Sequence, residues 1–191
     1  MYVMMAVAEK KERLEKWIAK FPFLASYVVK ADNVLEHTDN VDALCRSLVK
    51  DYCVCNRLSE KYRRKTSMLS ARDNMLYKKD IRVESKDGKM VCLDTKYPTR
   101  PFCKGSSMWL EVEKAKASKA DKLMYVGPDG YCWVLDRKRS LEVLVSKSTY
   151  IGPSGDVLCK FTFDELARHG AIREFVGLEG VFDEVEGDLH V

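Results

Sequence analysis

The chain has 191 residues, with 33 Lys and Arg against 29 Asp and Glu, 46% hydrophobic residues and a formal net charge of +4. That balance excludes a disordered or fibrous chain and fits one globular domain with its own core. No apolar run approaches the roughly 18 residues of a membrane span, and the apolar start over residues 1–8 is too short, and lacks the preceding basic residue, for a secretory leader.

In chain order, Leu14, Trp17, Ile18 and Phe21 recur at helical spacing and predict a helix over residues 9–30, interrupted by Pro22. Asp39 or Asn40 caps a second helix over 41–65, with an apolar stripe of Val41, Leu44, Leu48, Tyr52, Cys55 and Leu58. Near Ser67 the pattern turns to strands. Residues 77–85 and 89–97 read as a hairpin around Lys86-Asp87-Gly88, ended by Pro98 and Pro101. Ser106 or Ser107 then caps a helix over 107–119, with Met108, Val112 and Ala115 on one side. Strands follow over 122–126, 131–135, 141–145 and 157–163, then a short helix stopping at Gly170. The acidic end reads as frayed. The expected fold is α/β (α+β-like): a helical N-terminal part (1–65), a mixed central β-sheet core with flanking helices (66–145), an extension (146–180) and an acidic tail (181–191).

The seven cysteines are odd in number and scattered, and Cys53-Val54-Cys55 is the one close pair. Reduced, mostly buried thiols are expected, in a cytoplasmic or nuclear protein. Ligation of an iron–sulfur cluster by Cys53 and Cys55 is the weaker alternative.

Charge is unevenly spread. Residues 57–104 hold 14 Lys and Arg against 6 Asp and Glu, a net +8, which leaves −4 elsewhere. From Glu174 onward there is no Lys or Arg. A basic middle suits a polyanionic partner.

The basic window contains the hairpin. Side chains alternate along a strand, so Met90, Cys92, Asp94 and Lys96 share one face, and Asp80, Arg82 and Glu84 share one face of the first strand. A two-residue Asp87-Gly88 turn sets Asp80 opposite Thr95, on the wrong face. A three-residue loop with Gly88 at its left-handed position sets Asp80 opposite Asp94. The glycine favours the second. Two facing carboxylates repel unless a cation lies between them. Mg²⁺ suits such oxygens, and a neighbouring lysine ammonium suits a phosphodiester transition state.

Asp80, the hairpin and Asp94-Thr95-Lys96 resemble the PD-(D/E)XK (restriction-endonuclease-like) nuclease superfamily over about residues 51–135. The triplet with Asp in place of Glu looks like the branch found in recombination-type exonucleases. No Pro precedes Asp80; Lys79 stands there instead. The resemblance implies a core of helix, three strands, helix and strand, with Asp80, Asp94 and Lys96 as catalytic residues and Mg²⁺ or Mn²⁺ as cofactor. It also implies a further carboxylate from the helix before the sheet. Glu60 is the choice for that ligand, with Asp51 and Asp73 as alternatives.

Lys78, Lys79, Arg82, Arg100 and Lys104 are the expected phosphate contacts. The expected activity is Mg²⁺-dependent nuclease action, on DNA before RNA, and a homodimer would suit cutting of two strands. Trp109 and Trp133 could stack on bases but suit a core better. No phosphate-cradling glycine loop or serine-nucleophile elbow occurs in the sequence, which argues against ATP-driven and serine-hydrolase chemistry. The competing readings are a nucleic-acid-binding module without catalysis and a protein-interaction domain using the acidic tail.

Overall fold

A computed structural model describes residues 7–28, 34–100, 107–144 and 146–189, with the side chains of 173–176 left aside. Helices α1 (Val7–Lys20), α2 (Leu24–Val28) and α3 (Val34–His37) lead into the 22-residue α4 (Val41–Tyr62). Asn40, one of the two caps that the sequence offers, is extended and its side chain accepts the Ala43 N–H at 2.9 Å. The predicted stripe holds at Val41, Leu48, Cys55 and Leu58, which are buried. Tyr52 instead sits at the surface, stacked on Phe23 with centroids 4.1 Å apart. On α1, Leu14 and Trp17 are buried, and the indole donates to Asp42 Oδ1 at 3.0 Å, tying the two helices together.

After β1 (Thr66–Met68) comes a helix that the sequence reading missed, α5 (Ala71–Tyr77). Ser70 caps it by accepting the Asp73 N–H at 3.1 Å, and Lys78 ends it in the left-handed region. The first hairpin strand is therefore shorter than the predicted 77–85: β2 (Ile81–Glu84), followed by β3 (Met90–Lys96).

The predicted helix over 107–119 is half strand. β4 (Ser107–Glu111) alternates exposed Ser107 and Trp109 with buried Met108 and Leu110, and only then does α6 (Val112–Ala117) begin. Met108, Val112 and Ala115 fit helical spacing, but five residues of pairing with a later strand decide the conformation of the first half. β5 (Lys122–Val126) and β6 (Tyr131–Asp136) form as predicted, as near-continuous apolar runs buried on both faces.

The predicted strand over 141–145 is also a helix over its described part, α7 (Arg137–Leu144). Asp136 Oδ1 accepts the Arg139 N–H at 2.9 Å, and Ser140, Val143 and Leu144 form the buried stripe. The chain continues through β7 (Tyr150–Ile151), β8 (Val157–Thr162), α8 (Phe163–Arg168) and β9 (Ile172–Gly177). Gly170, at φ +63°, closes α8 as expected.

Six strands form the central sheet in the order β1-β2-β3-β5-β6-β9, and three form a second sheet, β4-β8-β7. Among the described residues only β3 and β5 pair in parallel. The crossover between them runs through β4 and α6, as parallel strands require. One face of the central sheet packs Leu93, Met124, Val126 and Val134 against α1 and α4. The other packs Leu123, Tyr125, Trp133 and Leu135 against α6, α7 and the second sheet. Trp133 is thus core, while Trp109 is 49% exposed.

The acidic end is docked rather than frayed. Leu178, Phe182 and Leu189 are buried in the α1–α4 core. Arg57 donates to Glu179 O at 2.6 Å, Lys61 pairs with Glu179 at 3.0 Å, and Arg46 donates to Leu189 O at 3.2 Å. Among the described residues no helix is long and apolar enough to cross a membrane. The six described cysteines are free, and four of them are buried. Burial pushes the Cys45 and Cys55 thiols up to about 12, so both stay protonated.

Candidate functional site

The hairpin turn is the three-residue form. Ser85 N–H donates to Lys89 O at 2.8 Å, and Gly88 takes φ +79° and donates to Ser85 O at 3.0 Å. The register pairs Ile81 with Leu93 and Arg82 with Cys92. The paired register ends at Ile81, and Asp80, just beyond it, turns its carboxylate to Thr95 rather than facing Asp94 across the hairpin. Asp80 N–H donates to Leu93 O at 2.8 Å, which fixes that end of the hairpin.

Both aspartates are buried, Asp80 at 6% exposure and Asp94 at 1%. Asp94 lies on the face of β3 that also carries Lys96, whose Nζ is 2.6 Å from Asp94 Oδ1. Lys96 keeps 25% of its side chain exposed, so the pair joins the interior to the surface. Among the described residues, Asp94 Oδ2 finds no hydrogen-bond partner. A buried carboxylate oxygen left without a donor is costly and points to a missing cation or donor.

The Asp80 carboxylate is held on both sides. Asn74 Nδ2 donates to Oδ1. Thr95 donates to Oδ2 through its backbone N–H at 2.6 Å, and its hydroxyl lies 3.0 Å from the same oxygen. The Thr95 hydroxyl also lies 2.5 Å from Asp51 Oδ1, which accepts from the Tyr97 hydroxyl as well. Asp51 is fully buried on α4, and among the described residues its Oδ2 has no partner.

Burial pushes the Asp51 carboxyl up to about 6; hydrogen bonds from Thr95 and Tyr97 and the Lys96 charge pull it back only in part. Asp80 is raised well above the usual carboxylate range, first by burial and then by the charges of Asp51 and Asp94, against the Thr95 N–H and Lys96. Three acids thus crowd one end of the hairpin with a single ammonium among them. Such crowding of shifted carboxylates is characteristic of sites that take up a proton or a cation.

Of the predicted residues, Lys96 pairs with Asp94, and the charges of both act on Asp80, which is itself held by Asn74 and Thr95. Glu60 is not among them. It is a surface side chain 3.9 Å from Arg57, lining a cleft with Phe21, Gly180 and Glu184. It lies nine residues beyond Asp51 on α4, roughly 14 Å along the axis at 1.5 Å per residue. Asp51 is the α4 carboxylate at the hairpin. Asp73 serves its own helix, accepting from the Ser70 hydroxyl at 2.6 Å. Arg82 and Arg100 are exposed, while Lys78 and Lys79 are half-buried. Lys104 lies outside the described residues.

Asn74, Thr95 and Tyr97 were not foreseen. Asn74 sits on the missed helix. Thr95 and Tyr97 occupy the face of β3 turned toward α4, which strand alternation marks as core.

The donor set fits a hard divalent cation only in part. Among the described residues, no three His, Cys, Asp or Glu side chains are arranged as a ready-made cage. Mg²⁺ does not need one, since it is commonly held by one or two carboxylates together with water and substrate phosphate. Asp94 Oδ2, without a partner among the described residues, is the oxygen that could meet that smaller demand.

No protein-family model, curated protein or solved structure matches the chain.

Proposed function

We propose that the protein is a divalent-cation-dependent phosphodiesterase, a nuclease of the PD-(D/E)XK kind acting on DNA before RNA. The observation that carries this reading is buried Asp94, with Lys96 Nζ at 2.6 Å and one oxygen without a partner among the described residues, whose charge also acts on buried Asp80. The order of elements supports it in outline: α4, then β1, α5, β2 and β3, then β4 and α6, then β5 in parallel with β3. The resemblance implies helix, three strands, helix and strand; this chain adds α5 between β1 and β2 and β4 before α6.

Asp94 and Asp80 would hold Mg²⁺ or Mn²⁺, which supplies a Lewis acid for a phosphate oxygen and an acidified water. Lys96 keeps an ammonium at the mouth of the site, where it offsets charge building up on the phosphate oxygens. Thr95, through its N–H and hydroxyl, and Asn74 fix the Asp80 carboxylate in place. Asp51 acts through the Thr95 hydroxyl and is a positioning residue. Arg82 is exposed on the Asp94 side of the hairpin, and with Lys78, Lys79, Arg100 and Lys104 it would meet flanking phosphates.

Incubation with plasmid and with single-stranded DNA in Mg²⁺ or Mn²⁺ tests the reading. Cleavage that EDTA stops is the expected result. Intact DNA of both forms in either metal contradicts it and leaves a binding module. The alternative role for the acidic end, as a partner-binding tail, has less support, because that segment is docked on the protein's own core.

A further inference from the structure

The second sheet carries a surface that the Asp80 cluster does not use. Its strands alternate, so Met108, Leu110, Cys159 and Phe161 are buried beneath it, while Trp109 and Lys160 form a cross-strand pair on the opposite face. Trp109 is 49% exposed, and Tyr150 on β7 is 57% exposed. The two rings lie 5.9 Å apart and tilted by 47°, so they do not consume each other's faces by stacking. Lys160 Nζ is 5.9 Å from the indole centroid. The acids of this region are engaged elsewhere, Glu165 by Lys147 and both Glu111 and Asp156 by Lys114; among the described residues no carboxylate pairs with Lys160. Together with the Ser148, Thr149 and Thr162 segments, these side chains border an open cleft of about 640 Å³.

We propose that this surface binds single-stranded nucleic acid, with a base stacked on Trp109 or Tyr150 and its phosphate on Lys160. An exposed aromatic pair on an open sheet face offers the stacking platform that unpaired bases use. The ammonium over the indole places positive charge where the sugar–phosphate of a stacked base passes. A protein partner is disfavoured because an uncompensated charge at the centre of the patch is what interface cores avoid. A duplex is disfavoured because its base faces are already stacked. The proposal goes beyond the active-site reading above, since the platform binds strand with or without cleavage.

Trp17 and Trp133 are fully buried, so fluorescence that a ligand can quench by contact belongs to Trp109. Titration with oligothymidylate in EDTA, which prevents cleavage, should quench it saturably. Trp109→Ala should weaken binding of a labelled strand about 5- to 150-fold, the loss of one stacked base, and Trp109→Phe should restore most of it. Lys160→Ala should lower the slope of log affinity against log salt by about 0.7. Unquenched fluorescence, unchanged affinity in Trp109→Ala, or equal quenching by a blunt duplex overturns the proposal. Quenching and binding are read in EDTA, where no cleavage occurs, so a failure of cleavage bears on the active site alone.

Discussion

Asp51 and Asp80 share one hydroxyl hydrogen, that of Thr95, whose Oγ1 lies 2.5 Å from Asp51 Oδ1 and 3.0 Å from Asp80 Oδ2. A hydroxyl donates once, so it cannot satisfy two carboxylates together. Without a cation, one of the two acids holds a proton at pH values where a free aspartate would not. Burial first, and then neighbouring acid charge, raises both the Asp51 and the Asp80 carboxyl.

That constraint predicts a pH dependence of stability. The Asp51 carboxyl rises from 3.8 to about 6 on folding, so the folded state binds its proton more tightly. The stabilisation is fully present below about pH 4 and is lost as pH rises through about 6. Asp51→Asn removes this dependence. Chemical denaturation from pH 4 to pH 7.5 should show the variant gaining stability relative to the parent as pH rises. A constant difference across that range contradicts the assignment.

The same substitution separates stability from function. Asp51→Asn should be at least as stable as the parent at pH 7.5, because a buried charge is gone. It should nevertheless cleave about 10- to 100-fold more slowly, because the Thr95 hydroxyl no longer bridges two acids. Parent-like rates would show that Asp51 is structural only.

Metal binding should depend on Asp94. Calorimetric titration with Mn²⁺ at pH 7.5 should give heat with the parent and none with Asp94→Asn, whereas Glu60→Gln should titrate as the parent does. Mn²⁺ should also raise the parent's melting temperature, since a ligand that binds only the folded state stabilises it. Equal heats in parent and Asp94→Asn would remove Asp94 from the ligand set.

The docked acidic end should matter to the whole fold. Phe182 packs edge-on against Tyr97, with centroids 5.9 Å apart, and Lys50 Nζ lies 5.4 Å from both rings. Phe182→Ala should cost about 3 kcal/mol in denaturant unfolding. An unchanged midpoint would mean that the segment is dispensable.

How much of this is legible in the sequence depends on whether the signal is local. Gly88 favours the three-residue turn over the two-residue one, and that local signal sets the Ile81–Leu93 register without any tertiary information. Asn40 likewise announces the start of α4. Asp51 is harder to see. On the helix it reads as a polar residue among apolar neighbours, and only the packing of α4 onto β3 brings it to Thr95 and Tyr97. Glu60 drew attention by its place near the helix end, yet α4 carries it away from the hairpin. The strand β4 was hidden because Met108, Val112 and Ala115 also satisfy helical spacing, and its partner β8 lies about fifty residues later. The helix α7 was hidden in the opposite way: Leu141 and Val143 alternate like a strand, while the Asp136 cap and the Ser140–Leu144 stripe make a helix.

The central claim is that Asp80, Asp94 and Lys96 form the cutting site, and single-turnover DNA cleavage in Mn²⁺ tests it most directly. Asp94→Asn and Lys96→Ala should each slow cleavage by about 10²- to 10³-fold, with Glu60→Gln unchanged. Parent-like rates in Asp94→Asn or Lys96→Ala, with the fold intact by circular dichroism, would contradict the account.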